Sequence, residues 1–61
     1  MIEYEVIKNN RIWFFKEDQK KRAMDKARKM RGSCAMIYVN QNGIVTSVTI
    51  LIEEEKSFYS P

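Results

Sequence analysis

The sequence contains no histidine and a single cysteine, Cys34, and both scarcities limit the chemistry it can support. Histidine is the side chain whose ordinary pKa lies nearest neutrality, so the usual general base and the commonest metal ligand are missing. A lone cysteine has no partner for an intramolecular disulfide, a zinc site or a thiol–histidine nucleophile. We therefore expect Cys34 to be a small structural residue, and we expect no catalytic residue, no metal site and no enzymatic activity.

Glycine and long apolar runs are also scarce. The two glycines, Gly32 and Gly43, belong to no phosphate-binding motif, so no cofactor is expected. No apolar run approaches the roughly 20 residues that a membrane span needs. Because Met1 leads directly into the alternating segment 2–6, we expect no signal peptide. These features, together with the single cysteine, predict a cytoplasmic protein that contacts no membrane.

Charges of both signs are present, but they are unevenly distributed. The chain has 11 Lys and Arg against 8 Asp and Glu, which gives a net charge of +3. Segment 16–31 holds eight basic and three acidic residues, whereas the rest of the chain holds three basic and five acidic ones. The positive charge is therefore concentrated in one element, which is where a nucleic-acid partner would bind.

Segment 43–53 is the clearest strand, because it is rich in β-branched residues and has no proline and no glycine after its first residue. Asn42-Gly43 is a hairpin signal that pairs it with segment 34–39. The expected pairs are Val39–Thr46, Ile37–Val48, Ala35–Ile50, Met36–Thr49 and Tyr38–Ser47. We expect the first three pairs to face the core and the last two to face away from it. We also expect the long strand to lie inside the sheet.

Two further apolar segments, 2–7 and 12–15, flank Asn9-Asn10, and asparagine adopts the left-handed backbone of a two-residue turn more readily than most residues. Such a turn sets Lys8 opposite Arg11 and fixes every pair beyond it, and opposed residues share a face. The expected core face is Ile2, Tyr4, Val6, Trp13 and Phe15. The expected outer face is Glu3, Glu5, Ile7, Ile12 and Phe14. A one-residue bulge in the turn would instead exchange Trp13 and Phe15 for Ile12 and Phe14.

A helix is predicted over 17–31, with acidic residues at its start and Gly32 as the left-handed residue that ends it. Its apolar stripe is narrow and half alanine: Ala23, Met24, Ala27 and Met30. The order ββαββ predicts an α+β fold, in which a four-stranded, mainly antiparallel sheet of two hairpins carries one helix on one face. Residues 1–55 are expected to form the single domain, and 56–61 a flexible C-terminal tail.

The sheet face away from the helix is predicted to hold more apolar surface than a monomer leaves in water. We therefore expect a protein–protein interaction module, of accessory or inhibitor type, that binds a partner protein or forms a homodimer through this face. The residues expected to carry the contact are Phe14, Met36, Tyr38 and Leu51. Base stacking on Phe14 and Tyr38 is disfavoured, because Glu3 and Glu5 on the same face would repel phosphates.

The alternative hypothesis is a nucleic-acid-binding module that uses the basic helix 17–31. Clustered Lys and Arg neutralise phosphates, and a helix fits the major groove of a duplex. The residues expected to carry this contact are Lys21, Arg22, Lys26 and Lys29. Asp18 and Asp25 interrupt that surface, and i, i+4 pairs such as Asp25–Lys29 would match its charges locally. The two hypotheses are distinguished by the surface that the protein uses.

Overall fold

The computed structural model describes residues 1–55, which form four strands and one α-helix in the predicted order ββαββ. The elements are β1 (Ile2–Lys8), β2 (Arg11–Lys16), a 3₁₀ turn (Glu17–Gln19), α1 (Lys20–Met30), β3 (Ser33–Val39) and β4 (Val45–Ile52). All strand pairs are antiparallel and the strand order is β2-β1-β3-β4. The expectation that the long strand lies inside the sheet is wrong, because β1 pairs with β2 and β3 and leaves β4 at an edge. The predicted tail, 56–61, lies outside the described residues.

The β1–β2 hairpin has the predicted register. Asn9 and Asn10 have φ values of 50° and 67°, as a two-residue type I′ turn requires. Lys8 therefore faces Arg11, and the remaining pairs follow in step along both strands. The bulged alternative is thereby excluded, and the side chains of Trp13 and Phe15 lie on the helix side.

The β3–β4 hairpin closes through a three-residue loop. The N–H of Asn40 donates to the carbonyl of Ile44 at 2.9 Å, and the N–H of Gly43 donates to the carbonyl of Asn40 at 3.0 Å. The side-chain oxygen of Asn40 also accepts hydrogen bonds from the N–H groups of Asn42, at 2.8 Å, and Ile44, at 3.1 Å. Gly43 has a φ of 77°, so it occupies the left-handed position that such loops assign to glycine.

This loop adds one residue to β4 and changes a single predicted pair. Val39 faces Val45, and Thr46 is the extra residue of a bulge. The other four predicted pairs of the hairpin form as expected. A second bulge follows at the other end of the hairpin, where Cys34 pairs with Ile52 and Leu51 is the extra residue. The turn signal therefore predicted the middle of the hairpin but neither bulge.

The helix covers the opposite face of β3 and β4 from the one that was expected. Tyr4 and Val6 belong to the core beneath the helix, and the β1–β3 register sets Met36 opposite Tyr4 and Cys34 opposite Val6. Cys34 and Met36 therefore face the helix. The residues expected in the core lie on the other side: Ala35, Ile37, Val39, Val48 and Ile50. The expectation was wrong because it rested on the two faces of the β3–β4 hairpin alone. The pairing of β3 with β1 decides which of these faces the helix covers.

The core between helix and sheet is small. The helix contributes Ala23 and Ala27, which are fully buried, and Met24 packs at the edge of the same cluster. The largest fully buried side chains are Val6 and Cys34. Burying one such side chain stabilises the fold by about 1.5–3 kcal/mol. The predicted alanine stripe is confirmed, and it allows the helix to lie close against the sheet.

The helix ends one residue earlier than predicted. Arg31, not Gly32, is the left-handed residue, with a φ of 56°. Gly32 is required for space, because a Cβ added there would lie 2.6 Å from the carbonyl oxygen of Ile7. The glycine therefore lets the chain pass close to β1 as it enters β3.

Candidate functional site

The sheet face opposite the helix, termed the open face, is apolar and exposed at both edges. On β2, Ile12 is 51% exposed and Phe14 is 66% exposed. On β4, Val48 and Ile50 are each 56% exposed. Ile37 of β3 lies between these edges and is buried by its neighbours in the sheet. The exposed apolar side chains therefore border a surface that the described part of the chain does not cover.

The strand register arranges the open face in rows that cross all four strands. The two central rows are Phe14–Glu5–Ala35–Ile50 and Lys16–Glu3–Ile37–Val48. Each row spans about 14 Å, since neighbouring strands lie about 4.8 Å apart. Glu3 and Glu5 form an acidic stripe on β1, which is flanked by Phe14 and Lys16 of β2 on one side and by Ala35 and Ile37 of β3 on the other. The open face thus combines apolar edges with a negatively charged centre.

Only one of the four residues predicted to form the protein contact, Phe14, lies on the open face. Met36 and Leu51 pack against the core cluster on the helix side. Tyr38 pairs with Ile2, so it also lies on the helix side, where it is 40% exposed. The prediction that these four residues share one face is therefore wrong. The β1–β3 register directs Met36 and Tyr38 of β3 toward the helix side and not toward the open face.

Val48 and Ile50 belong to the open face, although they were expected in the core. Alternation along β4 correctly grouped these two residues on one side of the strand. The missing information was the side on which the helix lies. That side follows from the pairing of β3 with β1, where Gly32 passes close to the Ile7 carbonyl, and no local sequence signal indicates it.

A groove of about 960 Å³ adjoins the open face where β1 begins and β2 ends. Its lining includes Glu3, Phe14, Lys16 and Asp18, so it presents apolar surface beside charges of both signs. Phe14 belongs to both the groove and the open face. A partner that covers the open face can therefore place a side chain in this groove.

A second groove, of about 450 Å³, lies between β2 and the helix and is termed the basic groove. Its lining residues are Trp13, Phe15, Arg22, Asp25, Lys26 and Lys29. The Nζ of Lys26 lies 4.8 Å from the centre of the Trp13 ring, and the Cζ of Arg11 lies 5.5 Å from it. Both distances are within the range of cation–π attraction. Aromatic surface and positive charge therefore meet in this groove.

Three of the four residues predicted for nucleic-acid contact line the basic groove, namely Arg22, Lys26 and Lys29, whereas Lys21 does not. Trp13 was not predicted as a groove residue, because its whole side chain was expected in the core. The tryptophan packs against the core but is only half-buried, so part of its ring remains accessible.

The local charge matching expected along the helix takes a different form in the structure. Asp25 pairs with Arg28, with Oδ1 and Nη1 3.2 Å apart, instead of with Lys29. Both partners are about half exposed, so the pair contributes little to stability. Across residues 1–55 the other ion pair joins Arg31 to Glu55, at the far end of the helix. Within residues 1–55, Arg22 and Lys29 of the basic groove therefore form no ion pair, and Lys26 lies over the Trp13 ring.

Cys34 is fully buried beneath the helix. Burial raises the pKa of its thiol above the ordinary value, and the positive charges of Arg28 and Lys20 lower it to a smaller extent. The thiol is therefore protonated at neutral pH and shielded from reagents. This position agrees with the structural role expected for the residue.

Within residues 1–55, no three His, Cys, Asp or Glu side chains group as metal ligands would. In the same part of the chain, no helix has the length and apolarity needed to cross a bilayer. No protein-family model matches the chain, and no curated protein or solved structure is significantly similar to it.

Proposed function

We propose that the protein is a small non-enzymatic binding module that recognises another protein through its open face. The observation that carries this proposal is the exposure of Phe14, at 66%, on the same face as Ile12, Val48 and Ile50. Scattered exposed apolar residues are normal, but a face bordered by several of them is typical of an interaction site. Removing apolar surface from water contributes about 25 cal/mol per Å² before the costs of association are subtracted.

The acidic stripe supports a specific chemistry for the partner. A partner that covers the apolar edges also removes water from Glu3 and Glu5, which is costly unless a cation pairs with them. The partner segment therefore carries Lys or Arg between apolar side chains, as one side of an amphipathic helix does. Such a contact suits an accessory protein or an inhibitor, which acts by covering a surface of its partner.

A cytoplasmic location fits this proposal. In a reducing compartment Cys34, the single cysteine, stays a thiol. Location itself is tested by fractionating cells that express the untagged protein.

Affinity capture with matched variants tests the use of the open face. Phe14→Ser removes the most exposed aromatic side chain of the face, and Lys29→Glu alters the basic groove as a control. Proteins retained by the wild type and by Lys29→Glu, but lost from Phe14→Ser, are the expected partners. With a purified partner, we expect Phe14→Ser to weaken binding by about tenfold or more, as for a central aromatic contact. Equal affinity of Phe14→Ser and the wild type would reject the open face as the binding site.

Binding of single-stranded nucleic acid through the basic groove is a second candidate function. It is supported by the accessible ring of Trp13 beside Arg22, Lys26 and Lys29. Single strands bind where bases can stack on aromatic rings while cations contact the phosphates. The groove offers both kinds of contact within one recess.

The only tryptophan of the chain, Trp13, provides a direct assay for this candidate. Titration with a single-stranded oligonucleotide in 50 mM salt should quench its fluorescence, and the affinity should fall as the salt concentration rises. Lys26→Glu should abolish the quenching, whereas Lys21→Glu, outside the groove, should have a smaller effect. Unchanged fluorescence of the wild type at this salt concentration would exclude the second candidate.

A further inference from the structure

We propose that two copies of this chain pair through their β4 strands, antiparallel and centred on Thr49. β4 lies at an edge of the sheet and the first six of its eight residues are exposed. An edge strand presents a row of backbone donors and acceptors to any strand that can align with it. This contact uses the edge of the sheet and does not depend on the function proposed for the open face.

The hydrogen bonds of β3 determine which β4 groups point outward. Val39 exchanges two hydrogen bonds with Met1, with N···O distances of 2.8 and 3.0 Å, so its backbone is directed at β1. Backbone direction alternates along an antiparallel strand, so the β3 residue opposite Thr49 is directed at β4 and bonds Thr49. The N–H and C=O groups of Val48 and Ile50, on either side of Thr49, therefore point away from β3.

A two-fold axis at Thr49 uses all of these outward groups. It sets Val48 of each copy opposite Ile50 of the other, so the two strands exchange about four hydrogen bonds. An axis at Val48 would use fewer, because it aligns Ile50 with Thr46, the extra residue of the bulge. In the Thr49-centred register the apolar pairs meet on the open face, and the two threonines meet on the helix side.

The charge distribution favours a second copy as the occupant of this edge. No charged residue occurs in segment 40–52, so two copies meet there without like-charge repulsion despite the net charge of +3. The other edge strand, β2, starts at Arg11 and ends at Lys16, and charged residues of this kind discourage edge pairing. β4 lacks such residues and also lacks proline.

One strand per copy makes a small contact compared with a standard interface of about 800 Å² per partner. We therefore expect a dimer with a dissociation constant in the micromolar range. The dimer would join two sheets edge to edge and keep both helices on one side. Its open face would then continue from one copy to the other.

Paired cysteine variants test the register. Thr49→Cys places two thiols across the axis with Cα atoms about 4.5 Å apart, which is within the range of a disulfide. Ser47→Cys, on the same face of β4, places its two thiols about 13 Å apart along the strands. Under mild oxidation we expect Thr49→Cys to form at least about tenfold more covalent dimer than Ser47→Cys. The native Cys34 does not interfere because it is fully buried.

Sedimentation equilibrium of the wild type, Val48→Pro and Val48→Ala tests the backbone pairing. Proline removes the outward N–H, which β3 does not use, whereas alanine keeps it. We expect the wild type and Val48→Ala to dimerise, and Val48→Pro to have a dissociation constant at least about tenfold higher. If circular dichroism shows Val48→Pro to be unfolded, Thr49→Lys replaces it, because it places two like charges at the axis.

Three results would overturn the proposal: a wild type that is monomeric at about 200 μM, equal cross-linking of both cysteine variants, or undiminished dimerisation of a folded Val48→Pro or Thr49→Lys variant. Phe14→Ser, which tests the open face, is expected to leave the dimer unchanged. Failure of the dimer and failure of partner binding are therefore distinguishable.

Discussion

At the scale of single residues, two small side chains set the distance between layers. Cys34 lies beneath the alanine stripe of the helix, and Gly32 passes beside the Ile7 carbonyl. Both positions are buried, so a larger side chain at either one would have no free space. Overpacking of this kind typically costs about 1–3 kcal/mol. In a chain of 61 residues that is a large share of a total stability of roughly 3–9 kcal/mol.

The two glycines should differ in their response to alanine. Gly32→Ala should destabilise by about 2–3 kcal/mol, because its Cβ would lie 2.6 Å from a backbone oxygen. Gly43→Ala meets no atom within 4 Å, and its positive φ alone should cost about 1 kcal/mol. Urea unfolding of both variants measures the difference. A larger loss for Gly43→Ala would show that the approach to Ile7 is not the constraint.

The Cys34 thiol predicts a pH dependence of stability. Its pKa is raised by burial, so the folded state favours the protonated form. This contribution is complete below the ordinary thiol pKa of about 8.5, and it is lost as pH rises through the pKa of the folded state. Between pH 7 and 10 the wild type should therefore lose more stability than Cys34→Ala. Equal losses in urea unfolding would contradict the prediction.

At the scale of elements, the two hairpins show how far local sequence determines structure. Asn9-Asn10 fixes the turn type, and the turn type fixes every pair of β1 with β2. In the second hairpin the turn signal predicted the four pairs from Ala35 to Tyr38, but not the bulges at Thr46 and Leu51 at the two ends. The side of β3 that meets the helix could not be predicted, because no turn connects β1 to β3 and the helix separates them in sequence.

The same limit explains which candidate residues could be predicted. Phe14 was assigned to the open face because its hairpin register follows from one turn. Val48 and Ile50 were not, because their face depends on the β1–β3 pairing. Helical spacing predicted that Arg22 and Lys26, which line the basic groove, point away from the apolar stripe of the helix. Their proximity to β2 is a tertiary contact that spacing within one helix does not predict.

Truncation of one valine on each face tests this assignment of faces. Val6→Ala removes part of a fully buried side chain under the helix and should destabilise by about 1–3 kcal/mol. Val48→Ala lies on the exposed edge strand and should change the stability of the monomer by about 0.5 kcal/mol or less. Urea unfolding at low micromolar concentration measures both variants. Comparable losses would mean that Val48 is buried.

At the scale of the whole molecule, a small core is combined with an apolar face that residues 1–55 leave exposed at its edges. The fully buried side chains beneath the helix are no larger than valine, and the bulkier Phe14 and Ile50 lie exposed on the open face. The helix side is basic around Trp13, and the open face is acidic along β1. Association through β4 or the open face removes apolar surface that the fold alone leaves in water, and so adds to stability.

The stability of the wild type should therefore depend on its concentration. If folding is coupled to a dimer, a tenfold rise in protein concentration stabilises each chain by about 0.7 kcal/mol, half of the 1.4 kcal/mol that corresponds to a factor of ten. For a domain of this size, that raises Tm by about 3–6 °C. Thermal unfolding at 5 to 500 μM should show this rise for the wild type and for Phe14→Ser, which keeps β4 intact. Val48→Pro should show a smaller rise over this range, because it lacks the outward N–H and its dissociation constant is expected to be at least about tenfold higher. A wild-type Tm that is constant across this range would show that the folded chain gains no stability from a second copy.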